Sequence, residues 1–230
     1  MKKIAVFLYG PPGSGKGTQA NLLADKLGLI HFDSGKFLES VVHDPARQKE
    51  KTIRRERELF DTGMLMTPSF VFREFAREAR MISKAGRGIV FSGAVRTLFE
   101  AKVLYPIIET LYGGKKNVFI FELVVAPKHS IGRNSNRLVC KVCGQALLTA
   151  FYPKGKAKCC PVCGGSFYRR TLDKPSVIKI RLEEYKTRTM PVFEFAKRRG
   201  YHVFKVNAEP APYKVFGIIN RRLHQEATGR

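Results

Sequence analysis

Acidic residues are scarce in this chain of 230 residues: 19 Asp and Glu stand against 42 Lys and Arg, for a formal charge of +23. Long apolar runs are missing as well. No stretch approaches the about 18 consecutive apolar residues of a membrane-spanning helix, which excludes that class. Internal repeats and low-complexity tails are absent, which excludes a repeat array or a disordered polyelectrolyte. Cysteine is confined to residues 140–163, so cross-links cannot brace the chain as a whole, and a disulfide framework is not expected. Met1-Lys2-Lys3 before an apolar run has the form of an export signal. The run breaks at Gly10-Pro11-Pro12, however, and a cytoplasmic location is expected. A hydrophobic content of 44% in a chain of this length implies a full core and one or two domains. The basic excess attracts polyanions, nucleic acid among them, and steers anionic nucleotides inward. Its scatter over Arg54-Arg55, Lys197-Arg198-Arg199 and Arg221-Arg222 fits a general basic bias equally well.

What is present begins at the N-terminus. The unbroken apolar run Ile4–Tyr9 suits a strand buried on both faces, and it empties into Gly10-Pro11-Pro12-Gly13-Ser14-Gly15-Lys16, which fits G-x-x-x-x-G-K. From Lys16 the apolar spacing turns helical through Ala20, Leu23 and Leu27. A glycine-rich turn without a ligand is the bland alternative, and the strand–loop–helix context argues against it. Gly10, Gly13 and Gly15 allow successive N–H groups to form an anion nest, and the helix N-terminus adds unsatisfied donors. Lys16 can then lie along the β- and γ-phosphates of a nucleotide, with Ser14, Gly17 and Thr18 beside it. Gly17 stands where Ser or Thr usually follows the lysine, so Thr18 is the nearer hydroxyl.

The cysteines form two C-x-x-C pairs, Cys140/Cys143 and Cys160/Cys163, separated by 16 residues. Each pair makes a knuckle that aims two thiolates at one point, and two knuckles complete a tetrahedral Zn²⁺ site. Gly144 and Gly164 fall where each knuckle reverses. Four thiolates leave no position for a substrate water, so such a zinc is structural. A redox dithiol and unmetallated cysteines are the alternatives. Cys159 is expected outside the site.

Five short apolar runs read as strands: Ile4–Tyr9, Leu29–Phe32, Ile89–Phe91, Phe119–Val125 and Val203–Val206. Helical patterns alternate with them, which predicts an α/β fold with a doubly wound five-stranded parallel sheet. One helix is expected over 97–112 with a kink at Pro106. Another is expected over 175–200, broken or kinked at Pro191. Residues 34–80 and 136–172 stand outside the alternation and read as inserts on the sheet's C-terminal edge, where ligands bind in open α/β folds.

Gly10–Ala20 closely resembles the phosphate loop of adenylate kinases, and the resemblance continues in order along nearly the whole chain. His31-Phe32-Asp33-Ser34-Gly35 resembles the family's H-I-S-T-G, and Ser92-Gly93-Ala94-Val95-Arg96-Thr97 occupies the place of its D-G-F-P-R-T. Arg133 and Arg137 precede the four cysteines, as in zinc-bearing members. Arg170, Asp173-Lys174-Pro175 and Arg181-Leu182-Glu183-Glu184-Tyr185 match the segments after them. The resemblance implies a P-loop NTPase-type core (1–33, 81–135 and 173–230), a helical insert binding a nucleoside monophosphate (34–80) and a zinc-ribbon lid (136–172). It implies reversible phosphoryl transfer from ATP·Mg²⁺ to a nucleoside monophosphate, AMP first among them, by a monomer without membrane contact. Lys16, Arg137, Arg170 and Arg181 would act on the moving phosphoryl group. Gly13, Ser14, Gly15, Gly17, Thr18 and Arg133 would hold the donor. Ser34, Lys36, Met66, Gly93, Arg96 and Glu100 would hold the acceptor.

The departures concentrate on the acceptor side. Ser92 stands where the family has an aspartate that orders the Mg²⁺ hydration shell. Glu39 replaces a phosphate-binding arginine, although Lys36 can supply charge nearby. Glu100 replaces a glutamine that reads adenine. A carboxylate only accepts hydrogen bonds, which suits guanine or cytosine better, while an exposed helix glutamate without a ligand is the alternative. The lid's paired acidic residues are reduced to Leu172-Asp173. These departures and the +23 charge motivate a competing class, a degenerate relative that binds ATP and a polyanion such as RNA without efficient transfer.

Overall fold

The structure, a computed structural model, describes residues 3–147, 149 and 157–228. Five parallel strands form the central sheet: β1 (Ala5–Tyr9), β2 (Ile30–Asp33), β3 (Ile89–Ser92), β4 (Val118–Val124) and, after three short lid strands, β8 (His202–Asn207). Their order is β2-β3-β1-β4-β8, every neighbouring pair parallel. The doubly wound five-stranded sheet expected from the apolar runs is therefore present, with no strand end displaced by more than one residue.

Side chains alternate across β1. Ala5, Phe7 and Tyr9 pack on one face, with Phe91, Ile120 and residues of α4 (Pro68–Lys84), α5 (Leu98–Leu111) and α8 (Met190–Arg198). Ile4, Val6 and Leu8 pack on the other, with Phe121 and residues of α1 (Lys16–Leu27) and α9 (Pro212–Thr228). Burial on both faces is why these strands read as continuous apolar runs instead of alternating ones. The chain leaves β1 for β2, beyond β3 on one side, and leaves β3 for β4 on the other side of β1, so the direction of the connections reverses beside β1. The cleft at the C-terminal ends of β1 and β3 opens at that reversal.

Two groups of elements lie over the cleft. On one side are α2 (Ser34–Val42), α3 (Lys51–Thr62) and the start of α4; Glu56 is fully buried there and accepts from Thr67 N at 2.7 Å. On the other, after α6 (Pro127–Ser135), β5 (Leu138–Cys140), β6 (Ala146–Leu147) and β7 (Phe167–Tyr168) form a small antiparallel sheet in the order β6-β5-β7. Residues 1–2, 148, 150–156 and 229–230 of the expected divisions lie outside the described residues.

The two prolines expected to disturb helices behave differently. Pro106 sits inside α5 without ending it. Past α7 (Pro175–Glu184) the helix widens into a π turn at Tyr185–Thr189 before α8. Pro191 has no N–H for the Thr187 carbonyl and its ring would press on it, and a wider turn relieves both. The same turn lets Thr189 donate to the Arg96 carbonyl at 3.0 Å. No helix among the described residues is long and apolar enough to cross a membrane.

Candidate active site

The phosphate loop is held open by backbone geometry. Gly10, Gly13 and Gly15 have φ of 146°, 75° and 90°, a region that favours glycine. A Cβ at Gly10 would lie 2.6 Å from the Leu123 carbonyl, and one at Gly13 would lie 2.7 Å from the Ser130 carbonyl. α1 begins at Lys16 with no side-chain cap and no acidic residue in its first turn, so its N-terminal N–H groups face the cavity as donors. Lys16 Nζ folds back onto the carbonyls of Gly10 (2.8 Å) and Pro11 (2.9 Å). Burial pushes its pKa well down, and Arg96, Arg181 and Arg137 push it further.

A cavity of about 230 Å³ lies against this loop, and the structure brings to it Gly13, Ser14, Gly15, Lys16, Gly17, Thr18, Lys36, Arg96, Arg133, Arg137, Arg170 and Arg181. Each arginine is positioned. Arg96 follows Val95, a buried β-branched residue at φ 58°, a strain of about 1–3 kcal/mol that packing maintains. Arg96 Nε donates to the Gly93 carbonyl at 2.6 Å. Arg137 makes a two-pronged pair with Asp173 at 2.9 and 2.6 Å. Arg170 pairs with Glu39 at 2.8 Å, and its Nε is buried without a hydrogen-bond partner among the described residues. Arg181 Nη1 donates to the Leu172 carbonyl at 3.3 Å; burial and then Arg96, Arg137 and Arg170 lower its pKa. Arg133 donates to the Ala208 and Glu209 carbonyls at 2.9 and 2.8 Å, at the end of the cavity lined by Gln19, Pro212 and Val215. The result is a half-buried wall of cations that weaken one another.

A smaller adjoining cavity is lined by Met64, Met66, Phe75, Gly93, Arg96 and Glu100, among others. Met66, Gly93 and Glu100 therefore meet there. Ser34 does not line either cavity: it is buried, and its hydroxyl donates to the Ser92 carbonyl at 2.7 Å. Glu100 is 3% exposed, which corrects the alternative of an exposed helix glutamate. Its Oε2 accepts from Arg96 N at 2.7 Å and its Oε1 from the Thr97 hydroxyl at 3.0 Å. Thr97 Oγ1 in turn accepts from Glu100 N at 3.2 Å. This T-x-x-E pattern caps α5 from both sides, a signal legible in the sequence but overshadowed by the glutamine comparison.

The four thiols meet as their spacing predicts. Cys140, Cys143, Cys160 and Cys163 present sulfurs within 4.8 Å of one another, while Cys159 is exposed. The two knuckles repeat one pattern. Gly144 N donates to the Cys140 carbonyl at 3.1 Å and Gly164 N to the Cys160 carbonyl at 2.8 Å, with φ of 68° and 72° at the glycines. Sulfur separations of 3.5 Å (Cys140–Cys163) and 3.7 Å (Cys143–Cys160) approach the edge of about 3.8 Å of a tetrahedron with 2.3 Å metal–sulfur bonds. The backbone N–H of Cys143 draws the Cys140 thiol down to about 6, while burial and the neighbouring sulfurs push the Cys143 thiol up, as expected of four thiols crowded together. Lys36 Nζ donates to the Gly144 carbonyl at 3.3 Å, so α2 touches a knuckle directly.

Residues that sequence reasoning left out also line the cavity: Asn21, His31 and Asp33. His31 bridges Asn21 Oδ1 (2.6 Å) and Ser92 Oγ (2.8 Å), and burial lowers its pKa. His31 and Asp33 stood in the sequence only within the matched segment His31–Gly35; an acidic residue between an apolar run and a helical pattern, an N-cap signal, could have singled out Asp33.

Comparison with known proteins gives a consistent result. The adenylate kinase family profile matches residues 8–201. An adenylate kinase of Caldicellulosiruptor saccharolyticus is 31% identical over 204 residues, covering 89% of this chain and 92% of the relative. One from Chlamydia felis is 32% identical over 219 residues, covering 95% and 97%. One from Pelobacter propionicus is 32% identical over 197 residues, covering 85% and 86%.

Proposed function

The chain belongs to the adenylate kinase family and is a nucleoside monophosphate kinase; from that premise we propose how its cavity performs the transfer. ATP with Mg²⁺ is the donor and AMP the acceptor. An oxygen of the acceptor phosphate attacks the γ-phosphorus, the bond to the β-phosphate oxygen breaks, and two diphosphates result. The observation that carries this reading is the convergence of Lys16, Arg96, Arg137, Arg170 and Arg181 on one cavity beside the phosphate loop. Cations held together out of water are stabilised by a polyphosphate and oppose the charge that spreads over the moving group.

Lys16 exchanges the carbonyls of Gly10 and Pro11 for the donor's β- and γ-phosphates, and the amides from Gly13 to Thr18 complete the cradle. Mg²⁺ supplies neutralisation of the β/γ charge. Arg96 holds the acceptor phosphate in line. Arg137, Arg170 and Arg181 meet the transferred group, and Arg133 borders the donor base. Ser34, Lys36, Met66, Gly93 and Glu100 shape the acceptor side. The four cysteines hold a structural Zn²⁺. Residues 34–80 act as the acceptor-binding insert and 136–172 as a lid over a core formed by the remainder. Lid closure removes water that would otherwise take the phosphoryl group. The protein works as a cytoplasmic monomer. Nothing in the fold or the comparisons favours the degenerate alternative.

A coupled assay of ADP formation from ATP with AMP, GMP and CMP tests the proposal. AMP is expected to be the fastest acceptor. Absence of ADP formation with all three would overturn it.

A further inference from the structure

Asp33 closes β2, and its backbone stands in register with Ser92 at the end of β3. Among the described residues lining the main cavity it is the one carboxylate, in a wall that also contributes two lysines and five arginines. Its Oδ1 accepts from Gly35 N (3.1 Å) and Lys36 N (3.2 Å) as the N-cap of α2. Those two donors fix the carboxylate's direction, and no hydrogen bond among the described residues engages Oδ2.

Ser92 beside it is also oriented. Asn21 Oδ1 can only accept, so His31 Nδ1 carries the proton of their 2.6 Å bond. The neutral ring then has a bare Nε2, which accepts from the Ser92 hydroxyl at 2.8 Å. The hydroxyl proton is committed to His31, and the oxygen is left as an acceptor. Thr18 adds a second hydroxyl to the same cavity.

A carboxylate facing polyphosphate is repulsive by itself. With a divalent cation between the two, its sign becomes favourable. One carboxylate and two hydroxyls form the oxygen set that a hard cation or its bound waters accept, so the residues present fit Mg²⁺. We propose that Asp33 is the residue that orients the donor nucleotide's divalent cation, with Ser92 and Thr18 as neutral oxygen neighbours. The carboxylate thus stands on β2, where the resembling family motif has serine, and the serine stands on β3, where that motif has aspartate. The two side chains have exchanged places across one strand pair. Asp33 positions the cation and makes no bond to the reacting atoms. This inference rests on the reading of the cavity as the ATP·Mg²⁺ site.

The test measures binding, independent of turnover. Asp33→Asn keeps the cap on Gly35 and Lys36 and removes the charge. Calorimetry gives the affinity for ATP in a chelator and for Mn·ATP. The wild type is expected to prefer Mn·ATP. The variant should lose about tenfold or more of that preference, the scale of one carboxylate charge close to a cation, and bind metal-free ATP more tightly. Combining Asp33→Ser with Ser92→Asp should restore the preference. An unchanged preference in Asp33→Asn overturns the proposal. If that variant does not fold, Asp33→Ser, which retains a capping oxygen, carries the same comparison. A folded wild type that binds neither form of ATP overturns the cavity reading, and this inference with it.

Discussion

Replacing Glu100 by glutamine separates two roles that the structure superimposes on one side chain. The carboxylate accepts from Arg96 N and from the Thr97 hydroxyl, one bond to each oxygen. A glutamine must keep its oxygen on Arg96 N, because that donor has no other partner among the described residues. Its amide group then faces Thr97 Oγ1, and the hydroxyl proton loses its acceptor. One lost hydrogen bond costs about 1 kcal/mol, or about 2–4 °C of Tm in a domain of this size. Glu100→Ala also strands Arg96 N and should lose about 2–3 kcal/mol. The penalty for glutamine depends on pH. Burial raises the Glu100 pKa above the unfolded value, so the ionised carboxylate is a liability above its folded pKa, and that liability vanishes as pH falls. Glu100→Gln therefore costs more in mildly acidic buffer than at neutral pH. On the catalytic side, an amide that both donates and accepts should raise kcat/KM for AMP over GMP and CMP by about tenfold. Thermal unfolding at two pH values and the three acceptor rates provide the readouts. A lowered Tm with unchanged acceptor ratios would refute base reading and leave Glu100 as a helix cap. An unchanged Tm would refute the capping argument.

Lys16→Ala should abolish transfer with the far-UV spectrum and Tm intact, since among the described residues Lys16 Nζ bonds only the loop carbonyls of Gly10 and Pro11; wild-type turnover would show the loop assignment to be wrong. Because burial and neighbouring cations depress the Lys16 pKa, phosphates that restore it should draw in protons, and calorimetry in alkaline buffers of different ionisation enthalpy should report proton uptake on ATP binding. Freshly purified protein should contain one zinc per chain, with the content falling in Cys160→Ser and unchanged in Cys159→Ser, as measured by atomic emission. Glu39→Gln should tighten nucleotide binding about fivefold, the scale of a half-exposed ion pair, because Arg170 no longer has to leave a carboxylate; weaker binding in a calorimetric titration would contradict that competition.

Much of this protein was legible locally. The apolar run before Gly10 and the helical spacing after Lys16 defined strand, loop and helix, because backbone propensity and phosphate geometry act over a few residues. The C-x-x-C pairs were legible for the same reason: each knuckle is a closed turn of its own, with Gly144 and Gly164 at its reversal. Tertiary structure decided what depends on partners distant in the chain. Glu39 reads as a repulsive charge until Arg170, 131 positions later, is found against it. Asp33 is only one letter of the segment His31–Gly35 until the parallel register of β2 and β3 sets it beside Ser92. Glu100 reads as a base-contacting residue, or else as an exposed helix glutamate, until α5 packs it under Arg96 and Thr97. Charge and hydrogen-bonding capacity belong to a residue and travel with its sequence; whether a group is satisfied, repelled or left available for a ligand belongs to the neighbours that folding brings to it.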